Sequence, residues 1–102
     1  MELKPGTRLR SQVGPTEVVV VKSPGGDLGL ACGGQPMIPA GDAPAEGLTV
    51  AETASDSTLL GKRYTDPDDR IELLVTKPGV GTLALDGVGL GLKQAKPLPA
   101  SD

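Results

Sequence analysis

Hydrophobic and polar positions alternate in short runs along this chain, and turn residues cut off each run before it could fill a helix. Thr7 to Ser11 reads Thr-Arg-Leu-Arg-Ser, with Leu9 on one face and Arg8 and Arg10 on the other, the pattern of a half-buried strand. After a Gly14-Pro15 turn, Glu17-Val18-Val19-Val20-Val21-Lys22 is the strongest strand signal. Four β-branched residues in a row disfavour helix and suit a sheet covered on both faces. Ser23-Pro24-Gly25-Gly26-Asp27 ends that run. Leu28 to Cys32 then reads as the returning strand of a hairpin, stopped by Gly33-Gly34-Gln35-Pro36 before Met37 and Ile38.

Residues 39–57 break the pattern. Asp42, Glu46, Glu52 and Asp56 are their only charges, and small residues supply most of the rest. This predicts a long surface connection: a functional loop, a mobile segment, or a short helix at about Val50 to Ser55. Strand patterning returns with Leu59 to Thr65, and Asp66-Pro67-Asp68-Asp69 reads as a solvated turn, spaced wrongly for a calcium loop. Arg70 to Thr76, Thr82 to Leu85 and Val88 to Leu92 follow as a meander, the last two joined by the tight-turn dipeptide Asp86-Gly87. In Gly87-x-Gly89-x-Gly91 the intervening leucine continues a strand, so a phosphate-loop reading fails for want of a following helix. Lys4-Pro5-Gly6 and Lys77-Pro78-Gly79 each precede a strand, an echo read as shared turn chemistry rather than duplication.

These runs predict an all-β fold, a small antiparallel barrel or sandwich of about seven short strands in one domain. Its parts are hairpins over residues 6–37, a long acidic loop over 38–58, a β-meander over 59–93 and an extended tail over 94–102.

Composition changes that picture in one respect. With 15 Gly and 10 Pro among 102 residues, no Phe or Trp and only Tyr64 as an aromatic, the core must be aliphatic, and help from a partner is expected. The net charge is -3, and no patch combines basic and aromatic side chains, so nucleic acid is not an expected partner. The absence of histidine excludes Ser-His-Asp and Cys-His machinery and any histidine-bearing zinc site, and one cysteine cannot form a disulfide within the chain. Neither a secretory h-region nor a run of about 18 apolar residues occurs, so no membrane partner is expected and the expected address is the cytoplasm.

The order of features from Gly6 to Met37 resembles the iron knuckle of desulforedoxin and related rubredoxin-type domains. That family places a Cys-x-x-Cys knuckle after a first strand, then a valine-rich strand, a Gly-rich hairpin turn and a second knuckle, Cys-Cys-Gly-x-x-Met. The corresponding residues are Leu9-Arg10-Ser11-Gln12-Val13-Gly14, then Val18 to Val21, Gly25-Gly26, and Leu30-Ala31-Cys32-Gly33-Gly34-Gln35-Pro36-Met37. The resemblance covers about a third of the chain and implies an N-terminal desulforedoxin-like hairpin pair. It puts the four iron-ligand positions at Ser11, Gly14, Cys32 and Gly33. Two glycines have no donor and serine replaces a soft thiolate poorly, so the site is vestigial and no metal or other cofactor is expected. A looser similarity is to short uncharacterised actinobacterial proteins with cysteines at the positions of Gly14 and Val75 beside Cys32.

Cys32 is the one soft nucleophile, a weak catalytic candidate whose thiolate the amides of Gly33 and Gly34 would have to activate. A free cysteine is more often a small buried hydrophobe. Lys62, Arg63 and Tyr64 bring together a cation, a guanidinium and a ring, a cluster able to dock an acidic partner or simply to line a strand face. Glu17 and Glu72 cannot be placed near one another from sequence, so no acid–base pair is assigned. The expected function is a non-catalytic accessory or protein-interaction domain that pairs with a protein partner or a second copy through the edges of the Val18–Val21 or Leu83–Leu92 strands. The alternatives are a small redox or thiol protein acting through Cys32, and a small-ligand-binding β-barrel.

Overall fold

Period-two alternation decides which side chains go inside, and proline and glycine keep each strand short. The computed structural model describes residues 3–52 and 55–93. Its strands are β1 (Arg8–Arg10), β2 (Glu17–Lys22), β3 (Leu30–Cys32), β4 (Gln35–Pro36), β5 (Ile38–Pro39), β6 (Arg63–Thr65), β7 (Glu72–Lys77), β8 (Leu83–Leu85), β9 (Val88–Gly89) and β10 (Gly91–Leu92). They form two antiparallel sheets, one of six strands ordered β10-β6-β7-β2-β1-β5 and one of four ordered β4-β3-β8-β9. The architecture is a sandwich rather than a closed barrel. Leu9, Val18, Val20, Leu73, Val75, Leu30 and Leu83 contribute to one aliphatic core that also takes in Tyr64 and Cys32.

Several expectations need correction. The stretch expected as a C-terminal meander is divided between the sheets, with β6, β7 and β10 in one and β8 and β9 in the other, and β3 pairs with β4 and β8 instead of returning along β2. The Val18–Val21 run is not covered on both faces: Val18 and Val20 are buried, whereas Val21 is 39% exposed, as alternation in a half-buried strand requires. That strand is not an edge either, because β2 lies between β1 and β7, and β8 lies between β3 and β9. Of the Leu83–Leu92 run, only β9 and β10 are at sheet edges. The extended tail over 94–102 and part of the helix considered at about 50–55 lie outside the described residues.

The Lys-Pro-Gly echo joins turns that are not equivalent, but a different internal repeat is present. A shift of 55 residues carries β1 and β2 onto β6 and β7, and a shift of 53 carries β3, β4 and β5 onto β8, β9 and β10, with every strand length preserved. Loop hydrogen bonds repeat as well. Gly6 N donates to Val20 O and Gly61 N to Val75 O; Met37 N donates to Leu30 O and Leu90 N to Leu83 O; Ala40 N donates to Arg8 O and Lys93 N to Arg63 O. The chain is therefore an internal repeat, and the counterpart of Gly6 is Gly61, not Gly79. Both Gly6 and Gly61 sit at positive φ, +90° and +73°, where glycine escapes the Cβ clash.

The halves meet about a pseudo-twofold axis. In the six-stranded sheet Val19 faces Leu74, its own repeat mate, flanked by Val18 opposite Val75 and Val20 opposite Leu73. In the four-stranded sheet Ala31 faces its mate Ala84. The strand register at this seam repeats in the same way, Glu17 opposite Lys77 answering to Lys22 opposite Glu72, as at an isologous dimer interface. The ion pair Lys77–Glu17 closes one end of the β2–β7 ladder at 3.0 Å. At the other end Lys22 lies 3.7 Å from Asp69.

Candidate functional site

In the first half the turn after β1 and the turn after β3 bring Ser11 and Cys32 into contact. Both are almost fully buried. Ser11 Oγ accepts a hydrogen bond from Val13 N at 3.1 Å, and Cys32 Sγ donates to Gly81 O at 3.5 Å. Thr16 Oγ1 lies 3.3 Å from Thr58 Oγ1, which donates to Gly79 O and accepts from Gly79 N. Burial pushes the Cys32 thiol up, and hydrogen bonds from Ser11 and Thr16 offset this only in part. A protonated, enclosed thiol is the inert form of cysteine, so the burial of Cys32 removes the condition that a nucleophilic or redox reading needs.

The four positions singled out by the resemblance do not fit a thiolate-held iron. Gly14 and Gly33 offer no donor, and the room around Gly33 is occupied by aliphatic groups. A Cβ on Gly33 would lie 2.6 Å from Val13 Cγ2 and 3.6 Å from Val50 Cγ1. The connection between the halves is thus no detached loop, although much of its surface is exposed. Ala51 N donates to Gly33 O at 2.9 Å, Asp56 N to Thr82 Oγ1 at 3.0 Å and Ala45 N to Gln12 Oε1 at 3.0 Å.

Through the repeat, Ser11, Gly14, Cys32 and Gly33 correspond to Asp66, Asp69, Leu85 and Asp86. Three of the four are carboxylates, and each is engaged by the protein itself. The turn is solvated at Pro67 and Asp68, but Asp66 is 5% exposed, and its Oδ1 accepts from Arg70 N at 2.7 Å and Ile71 N at 3.3 Å, while Oδ2 accepts from Arg70 Nε at 3.0 Å. Burial pushes its carboxyl up, but the Arg70 and Ile71 amides and the Arg70 guanidinium outweigh that and hold it below the usual carboxylate range. Asp69 accepts from Thr65 Oγ1 at 2.9 Å, and Asp86 Oδ1 from Gly29 N at 2.8 Å. Among the described residues no group of three or more histidine, cysteine or acidic side chains is disposed to hold a metal ion.

Beside this turn lies an ion network that the sequence did not announce. Glu72, buried on β7, accepts from Lys93 Nζ and, at 3.1 Å, from Arg63 Nη1. The Lys93 hydrogen bond, aided by both cations, holds the Glu72 carboxyl low against burial and raises Lys93 in return. Glu17 and Glu72 are repeat mates at opposite ends of the β2–β7 ladder. Lys62, Arg63 and Tyr64 do not present one docking face. Tyr64 is in the core with its hydroxyl accepting from Leu59 N, Arg63 turns to Glu72, and Lys62 is exposed.

An apolar cleft at Leu3, Leu28, Leu30, Pro36 and Met37 holds about 130 Å³, below the roughly 300 Å³ at which small-molecule pockets begin. Two larger clefts adjoin at the second-half turn. One, about 230 Å³, is lined by Pro67, Leu85, Val88 and the three aspartates 66, 68 and 86; the other, about 390 Å³, runs from Thr65 to Leu92 past Gly89 and Gly91.

No described helix is long and apolar enough to cross a membrane. Compared with protein-family models, with curated proteins and with solved structures, the chain matches none.

Proposed function

We propose that the chain is a non-catalytic accessory or protein-interaction domain. It would be built from two copies of a rubredoxin-type knuckle unit whose metal positions have passed to packing in one copy and to backbone capping in the other. The observation that carries this reading is the fate of those positions: Val13 and Val50 fill the first, and the carboxylates of the second are spent on amides, a hydroxyl and a guanidinium. The only thiol is buried and held in its protonated form. A lone reduced cysteine fits the cytoplasm, and a net charge of -3 favours a protein partner over nucleic acid.

The test is metal analysis with solution mass on untagged protein expressed with iron and zinc available, paired with cross-linking in the producing cell. No stoichiometric metal and one recurrent cross-linked protein is the expected result. Metal at one ion per chain, or a chain that stays uncrosslinked under all growth conditions, overturns the proposal.

A further inference from the structure

The two halves share a backbone plan but not a cover. In the first, the connecting segment lies over the β3–β4 turn: Ala51 N bonds Gly33 O, and a Cβ on Gly34 would lie 2.8 Å from Ala51 Cβ. In the second, a Cβ on Gly87, the mate of Gly34, would meet nothing within 4 Å among the described residues, and the same holds at Gly89 and Gly91. Val88 and Leu92 stand 51% and 44% exposed around that opening. The apolar floor of Pro67, Leu85 and Val88 is rimmed by Asp68 and Asp86, with Asp66 beneath them already bound by Arg70, the one cation lining the cleft among the described residues.

Resting on the interaction reading above, we infer that the β8–β9 face of the second half docks an extended segment of a partner protein. That segment would carry small aliphatic residues flanked by lysine or arginine. It would occupy the place that residues 45–52 take on the first half. Two observations fix its chemistry. The first half supplies the template: Val50 and Ala51, seated against the turn by one backbone hydrogen bond and by aliphatic packing. Charge supplies the difference. Where the first half presents Gln12, Val13 and Gly33, the second presents Pro67, Asp68 and Asp86, and the excess of carboxylates favours a cationic visitor. The covering segment of the chain carries Glu46 and Glu52, which the neutral first face tolerates and the carboxylates of the second would repel.

The probe is a blocked peptide with the sequence of residues 46–52 in which Glu46 and Glu52 are replaced by lysine, titrated into the full-length chain and followed by amide shifts. Saturable shifts at residues 86–89, lost in Val88→Lys and weakened by salt, are expected. Val80→Lys, which alters an exposed valine outside the β8–β9 face, should leave them intact. No saturable shift, equal binding by the unaltered glutamate peptide, or shifts at Gly33 instead would overturn the inference. So would nuclear Overhauser contacts from residues 94–102 to Val88, which give the face to the chain's own end, or concentration-dependent shifts there without peptide, which give it to a second copy. Failure of the peptide with a recurrent cross-linked partner still in hand would remove this face and leave the interaction reading standing.

Discussion

One serine hydroxyl in the first half takes a single turn amide, whereas one carboxylate in the second takes two amides and a guanidinium. The backbone plan is the same. The first turn is closed by neutral groups and dry aliphatic contact, with Val13 against Gly33, Thr16 beside Thr58 and the connecting segment laid across. The second is closed by charge, with Asp66, Asp69 and Glu72 drawing in Arg70, Lys22, Arg63 and Lys93. A turn of this geometry therefore needs its amides satisfied and its interior filled, and leaves open which chemistry does so.

The largest break should come at the axis, where neither half has a substitute. Leu73→Ala removes a fully buried side chain next to the Val19–Leu74 pair and should cost about 3 kcal/mol in urea unfolding, with loss of both sheets in one transition. Next, Asp66→Ala strands two turn amides and the Arg70 guanidinium and should cost about 2–3 kcal/mol, against about 1 kcal/mol for Ser11→Ala at the mate position. Equal losses at the two sites would erase the contrast between neutral and charged closure.

The cover can be measured with a matched glycine pair. Gly34 and Gly87 have φ of +87° and +85°, so an alanine at either bears the same left-handed penalty, about 1 kcal/mol. Gly34→Ala also collides with Ala51, and should cost roughly 1 kcal/mol more than Gly87→Ala.

The smallest effect is a difference in pH response. The carboxyls of Asp66 and Glu72 are held low in the folded chain, so their stabilisation is complete above the ordinary carboxylate range, about pH 4–5, and is lost as pH falls through the lower folded values. Lys93 is raised, so its share is complete below about pH 10 and is lost at higher pH. Unfolding midpoints taken from pH 7 down to pH 3 should fall less steeply in Asp66→Asn than in the native chain, while Ser11→Ala should keep the native slope.

Strand identity was legible because it rests on neighbours in sequence: the Glu17 to Lys22 run becomes β2 at its full length, and Leu9 goes inward as the alternation requires. The repeat was not. Its two halves differ at most core positions, Val18 answering to Leu73 and Cys32 to Leu85, and a two-residue difference between the β2–β3 and β7–β8 connections breaks the register of any single shift. The match that did catch the eye, Lys-Pro-Gly twice, joins turns that are not equivalent. For the candidate site, the burial of Cys32 agreed with the ordinary behaviour of a free thiol, but Asp66 read as solvent-facing. Its burial follows from the direction of two backbone amides four and five residues on, which residue type alone does not encode. Tyr64 goes inward because alternation along β6 leaves Arg63 exposed and turns the middle residue to the core.

The central pairing of β2 with β7 and of β3 with β8 makes each half supply the missing part of both sheets. Neither sheet can be completed by local hairpins, so folding must bring together segments more than fifty residues apart before the core closes, which places the chain among slow, topologically demanding folders. The connection between the halves then acts kinetically as a tether, turning what would be association of two separate pieces into a concentration-independent step. A chain nicked within residues 39–57 should recover its structure at a rate and to an extent set by how much of each fragment is present. At high concentration the intact chain has a second solution open to it, in which the halves of two molecules trade places.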